Sequence, residues 1–181
     1  MTRLLAPSLD LLDGYAAALR AGWSPDNSRD VTGEELAAIA NDAPKHLSIL
    51  RGRTPGIIRL PGGREVERLP GFTRWIGDDA FCGTINVRHQ PGTEELPAHV
   101  SGHVGYAIVP WKRRQGHSTR ALWLLLPLAR ALGLPRLLLT CDADNEPSRG
   151  VIEANGGTFA GSVPNAERPE VAKLLFWVAT G

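Results

Sequence analysis

The stretch from Val100 to Leu132 limits the fold more than any other part of the chain. A β-rich run, Val100 to Val109, stops at Pro110, which has no amide to offer a neighbouring strand. Three adjacent cations follow, Lys112, Arg113 and Arg114, and then Gln115 and Gly116. From Ser118 to Leu132 apolar residues recur at helical spacing until Gly133 ends the pattern. A strand, a short basic loop and a helix in that order make an anion site. The first amides of a helix have no intrahelical acceptor, and the helix dipole adds roughly half a positive charge at that end, so a diphosphate is stabilised there. Gly116 lets the backbone approach phosphate closely, Ser118 and Thr119 add hydroxyl donors, and Lys112, Arg113 and Arg114 suit a pyrophosphate or a further phosphate.

The remaining segments read as an alternation of strands and helices. Arg3 to Ala6 suits an edge strand and Ser8 to Ala21 a helix, with a Gly, Pro, Asn and Asp loop over 23–30. Thr32-Gly33-Glu34-Glu35 has the capping-box pattern and opens a helix towards Leu50, bent at Pro44. Residues 51–63 suit a surface connection or an irregular edge strand. Phe72 to Ile76 and Ala80 to Val87 flank the turn residues Gly77-Asp78-Asp79 and predict an antiparallel hairpin. A polar loop spans Gln90 to Pro97, and Pro127 predicts a kink in the following helix. A strand over Arg136 to Cys141, a helix from Ser148 to Asn155 closed by Gly156-Gly157, and a last strand from Leu174 to Ala179 complete the reading.

At 181 residues the chain is the size of one domain, able to bury close to 70% of its unfolded surface by the usual scaling, roughly. A net charge of +1 gives no global reason for nucleic acid as the main partner. The longest apolar stretch, Ala121 to Ala129, is interrupted by Pro127 and is far below the ~20 residues a bilayer requires, so no membrane span is expected. Without a sustained apolar segment at the N-terminus, a cytoplasmic location is expected. Cys82 and Cys141 have the usage of small buried hydrophobes, with no disulfide and no recognisable metal spacing.

The hexapeptide Arg113-Arg114-Gln115-Gly116-His117-Ser118 resembles the Q/R-x-x-G-x-G/A phosphate-cradling signature of the GNAT superfamily of N-acetyltransferases, with Ser118 where Gly or Ala is usual. The resemblance continues through Gly102-His103-Val104-Gly105-Tyr106, Thr140-Cys141-Asp142, Asn145, Ser148 and Asn155-Gly156-Gly157, and is narrowest to a bacterial subgroup of predicted acetyltransferases. It implies an α/β (α+β) GNAT fold in a single domain: a central mixed, mostly antiparallel sheet of six to seven strands, flanked by helices and splayed at the cofactor site. It also implies acetyl-CoA as co-substrate, no metal, and transfer of an acetyl group to a primary amine of an undefined small-molecule or peptide acceptor by direct attack in a ternary complex. The cofactor would lie on Ile108 and Val109, on Arg113, Arg114, Gln115, Gly116, His117, Ser118 and Thr119, and on Asn145 and Ser148. A homodimer is compatible with this reading.

The superfamily often carries a tyrosine seven residues after the asparagine matched by Asn145, where it protonates the leaving thiolate; here that position is Ile152. Ser148 or a water would then serve, or the thiolate would leave unassisted. The candidates for the base are His103 and Tyr106, with Glu94, Glu95 and His99 in the loop before them, and His103 is preferred because an imidazole titrates near pH 6.5. Against this stands a histidine hydrogen-bonded within the sheet. His117 reads as a loop side chain near solvent or phosphate, Asn145 as a helix cap, and the tryptophans as packing, with Trp23 and Trp75 lining an acceptor pocket if exposed. Two other functions remain open: a non-catalytic CoA-binding regulatory module, and a nucleic-acid binder using residues 112–114. The acceptor groove would be built from the N-terminal helices and the connections at 51–71 and 90–101.

Overall fold

Alternation of apolar and polar residues decides which face each strand buries, and it divides the chain between two cores. The computed structural model describes residues 1–52, 56–59, 63–166 and 168–181. One sheet has the order β1-β4-β5-β6, formed by Arg3–Leu5, Gly71–Gly77, Phe81–Arg88 and Val104–Ile108, with every neighbouring pair antiparallel. A second has the order β7-β9-β8, formed by Arg136–Asp142, Lys173–Ala179 and Thr158–Val163, again antiparallel throughout. A short ribbon, β2 (Ile57–Arg59) with β3 (Glu65–Glu67), stands apart in the segment read as an irregular connection, parts of which lie outside the described residues.

The helices cover both faces. Helix α3 (His117–Ala131) buries Ala121, Leu122, Leu125 and Ala129 against a core that includes Ile85, Leu137, Leu139 and Phe176. On the opposite face of the first sheet, α1 (Leu12–Arg20) and α2 (Thr32–Leu50) bury Tyr15, Leu19 and Leu47 against Trp75 and Val109. Trp23 and Trp75 are 4% and 1% exposed, so they pack the core and do not line a pocket. The Tyr15 hydroxyl donates to Glu35 Oε2 at 2.5 Å, and His46 Nε2 lies 2.9 Å from the same oxygen. Burial alone would raise the Glu35 pKa; the His46 and Tyr15 hydrogen bonds outweigh it and hold the carboxyl below its ordinary value.

Two helix expectations are corrected. The bend in α2 is at Asp42 (φ −161°, ψ 85°), where the Asp42 carboxylate accepts the Lys45 amide at 3.0 Å and so caps the half-helix carrying Pro44. Pro127 sits inside α3 without a break. The carbonyl it deprives of a partner belongs to Trp123, one turn earlier on the outward face (53% exposed), so the lost bond is not buried. Strand β8 escaped the sequence reading because its residues are mostly exposed and Gly161 interrupts it with a register shift, leaving no apolar alternation. No helix among the described residues is long and apolar enough to cross a membrane.

The two sheets meet at β6 and β7, and the meeting is incomplete. At their beginnings the His103 amide donates to the Leu138 carbonyl (2.8 Å), and the Leu138 amide donates to His103 Nδ1 (2.9 Å). Beyond that clasp the strands share no ladder among the described residues. The expected splay is present, and α4 (Glu146–Glu153) follows β7 at its wide end.

Candidate active site

The basic loop between β6 and α3 is held in shape by contacts that the sequence did not disclose. Pro110–Lys112 forms a single 3-10 turn, after which Arg114 (φ 62°) and Gly116 (φ 77°) are both left-handed. A non-glycine residue in that region costs of order 1 kcal/mol, a strain that clusters at functional sites. Lys112, expected at the phosphates, turns away and binds Asp78 in the β4–β5 turn, with Nζ 2.9 and 3.1 Å from the two carboxylate oxygens. That hydrogen bond, followed by the one from the Ala80 amide, holds the Asp78 carboxyl far below the carboxylate range. His117 is buried, contrary to its reading as a solvent-side residue: its Nδ1 lies 3.0 Å from Thr2 Oγ1 and its Nε2 3.7 Å from Asp78. Asp78, Cys82 and His117 thus bring ligand-type atoms within 4.8 Å of one another, and with the Lys112 ammonium on that carboxylate the cluster ties the loop to the hairpin.

With Lys112 and His117 turned inward, the outward face of the loop is formed by Arg113, Arg114, Gln115 and the bare backbone of Gly116. The first intrahelical bond of α3 runs from the Arg120 amide to the Gly116 carbonyl, and no side chain caps the helix, so the amides at its start lack an acceptor. Gly116, just before α3, and Thr119, Arg120 and Trp123 within it, with Ala154 and Asn155 after α4, line a groove of about 390 Å³. Asn155 closes its floor by donating to the carbonyls of Thr119 (3.2 Å) and Val151 (2.8 Å).

From this groove the gap between β6 and β7 leads inward. The β5–β6 ladder fixes which groups line it. The Val109 amide donates to Cys82 (3.0 Å) and the Arg88 amide to His103 (2.9 Å), so by alternation the amides of Tyr106 and Ile108 face the gap. Val109, expected to offer its amide, has it committed to β5. The Ile108 carbonyl accepts from Arg113 Nε at 3.1 Å, and the Tyr106 carbonyl accepts from Asn27 Nδ2, in the α1–α2 loop, at 2.8 Å.

The Tyr106 hydroxyl crosses the gap to α4 and lies 2.7 Å from Ser148 Oγ and 3.3 Å from the Ser148 carbonyl. Burial pushes the phenol up to about 12, partly offset by Ser148. Asn145 caps α4 by accepting the Ser148 amide at 3.1 Å, and Ile152, one turn beyond Ser148, is buried in the core.

His103 is fully buried, with Nδ1 committed to Leu138 and its ring 6.3 Å from Trp177. Burial lowers its pKa, so the imidazole is held neutral and away from solvent. Of the other base candidates, Glu94 is paired with Arg136 (Oε2 to Nε, 2.9 Å), and Glu95 and His99 are exposed in the loop before β6. Replacing His103 with Ala strips the partly buried Leu138 amide of its acceptor and leaves a cavity, a loss of about 2–4 kcal/mol in urea unfolding. His103→Asn, which keeps an acceptor, loses less. Because the folded-state pKa is depressed, the contribution of His103 is present above its unfolded pKa and is lost as pH falls through the folded one. Equal stabilities for wild type and His103→Ala across that range would remove the clasp.

The sequence model of the acetyltransferase (GNAT) domain matches residues 62–158, a stretch that holds the splayed β6 and β7, the left-handed basic loop and the uncapped start of α3. The chain belongs to the GNAT acetyltransferase family. Among solved structures, this acetyltransferase is similar to Mycobacterium smegmatis RimJ in complex with CoA-disulfide, at 19% identity and a TM-score of 0.65, over 98% of this chain and 81% of that one. The microcin C7 self-immunity acetyltransferase MccE, in complex with acetyl-CoA and AMP, aligns at 12% identity and a TM-score of 0.64, over 98% and 92% of the two chains. Salmonella typhimurium yncA, with its cofactor acetyl-CoA, aligns at 12% identity and a TM-score of 0.58, over 99% and 94%. At these identities the likeness is one of fold. No curated protein gives a significant match to the sequence.

Proposed function

We propose that this acetyltransferase transfers the acetyl group of acetyl-CoA to a primary amine of a small-molecule or peptide acceptor, by direct attack while both are bound. The observation that carries the reading is the uncapped start of α3, which opens onto the β6–β7 gap. The pyrophosphate would sit on the amides from Gly116 to Thr119, with Arg113 and Arg114 beside it and the nucleotide in the groove at Arg120, Trp123 and Asn155. The pantetheine would run through the gap, and the thioester carbonyl would accept from one of the two amides of Tyr106 and Ile108, which stabilises the oxyanion as it develops, while the other holds the pantetheine arm.

The amine lone pair attacks the thioester carbon, the carbon–sulfur bond breaks with its electrons on sulfur, and the amine nitrogen gives up its proton. A phenol near 12 keeps its own proton against a thiolate of pKa about 8.5, so the Tyr106–Ser148 pair acts as a hydrogen-bond donor to sulfur and a relay for the incoming proton. With His103 sealed in the sheet, deprotonation is left to water, which suits amines already partly neutral near pH 8, such as an α-amino group. The test is calorimetric titration of acetyl-CoA, followed by thiol release over a panel of amino acids, peptide N-termini, polyamines and aminoglycosides. Binding with release on some amines is expected. Binding with no turnover on any would favour a regulatory CoA-binding module, and no binding would remove the site.

A further inference from the structure

We propose that Arg88 and Asn86 form an oxyanion-binding subsite of the acceptor groove, so that the amine acetylated here carries a carboxylate or phosphate. This rests on the site described above and assigns its acceptor a chemical class. Both residues lie on β5, on the face covered by α1 and α2: Asn86 pairs with Gly105, and Arg88 is two residues further along the same face. The side chains fold over Gly105. A Cβ built there would lie 3.1 Å from Arg88 Nη2 and 3.3 Å from Asn86 Nδ2, so a glycine at 105 is what admits them.

The Arg88 Nε is buried with no hydrogen-bond partner, and the guanidinium forms no ion pair with any described carboxylate. An Nε enclosed without an acceptor, on a half-buried guanidinium that no described carboxylate pairs, points to an anion supplied from outside. Burial is the main cause that pulls the Arg88 pKa down, and Arg68 adds to it. The acidic group with the largest influence on Arg88 is Asp26, whose Oδ1 accepts the Ser28 amide at 2.7 Å. Glu35 is occupied by Tyr15 and His46 and also faces Arg68.

The position suits an acceptor. Asn27, next to Asp26, fastens the α1–α2 loop to the Tyr106 carbonyl, one residue along β6 from Gly105. From Gly105 to Ile108, whose amide faces the gap, the strand advances about 10 Å. An amine at the thioester and an anion at Arg88 are therefore separated by several bonds. The donor enters through the gap, and the anion holds the acceptor on the other face of β6.

The experiment compares a dipeptide with its C-terminal amide, and an aminoalkyl phosphate with the corresponding aminoalkyl alcohol, as acceptors by thiol release. Wild type should favour the anion in at least one pair about tenfold or more in kcat/KM, and the pair that discriminates identifies carboxylate or phosphate. Arg88→Gln should bring that ratio near one, and Arg88→Lys should keep part of it. Calorimetric titration of the N-acetyl dipeptide against its amide reads the same preference without turnover. If acetyl-CoA binds but neither pair discriminates, or the preference survives Arg88→Gln, the subsite is refuted while the site itself stands; if acetyl-CoA does not bind, the underlying reading has failed.

Discussion

Substituting Gly116 with Glu should raise the dissociation constant for acetyl-CoA at least about a hundredfold while leaving the fold intact. Gly116 is left-handed (φ 77°) and a Cβ there meets no atom within 4 Å, so the side chain costs backbone strain of order 1 kcal/mol and no steric clash. What it adds is a carboxylate able to take the helix-start amides in place of the pyrophosphate, and a negative charge facing two others. Charge-assisted hydrogen bonds are worth about 1.5–3 kcal/mol each, so losing two exceeds the roughly 2.7 kcal/mol of a hundredfold change. Gly116→Ala carries the strain without the charge and should weaken binding only a few-fold. Calorimetry of acetyl-CoA with both variants, beside their urea unfolding curves, separates the two terms. Tight binding by Gly116→Glu would move the phosphates elsewhere.

The loop was legible because its meaning is local. A proline that ends a strand, a glycine and an apolar periodicity that starts a helix all lie within about thirty residues of one another, and amide orientation at a helix start needs nothing from the rest of the chain. The hairpin about Asp78 was legible for the same reason. What failed was the assignment of side chains to partners distant in sequence. Lys112 is drawn from the phosphates by Asp78, His117 by Thr2, and His103 by the amide of Leu138, and none of these partners is marked by spacing. A histidine on a strand reads alike whether it faces a substrate or clasps two sheets; the difference is burial, which the Leu137 and Leu139 strand imposes. Arg88 and Asn86 gave no signal, because only the missing side chain of Gly105, on the next strand, lets them converge.

The absence of tyrosine at position 152 has a different consequence once Tyr106 is placed. Its hydroxyl reaches Ser148, one turn before Ile152, from the strand opposite, so a hydroxyl still bridges the gap through which the proposed pantetheine path runs. If the pair donates a hydrogen bond that strengthens as charge gathers on sulfur, removing it lowers kcat without loosening acetyl-CoA, whose affinity resides in the loop. Tyr106→Phe and Ser148→Ala should each reduce kcat about tenfold or more, and the double variant little further than either one. Each partner relies on the other, so the single effects should not add. Calorimetric affinity for acetyl-CoA should stay within about threefold, because neither hydroxyl meets the pyrophosphate. A double variant with the parent's kcat would mean that sulfur leaves unaided and that the hydroxyl bridge serves only to hold α4 against β6.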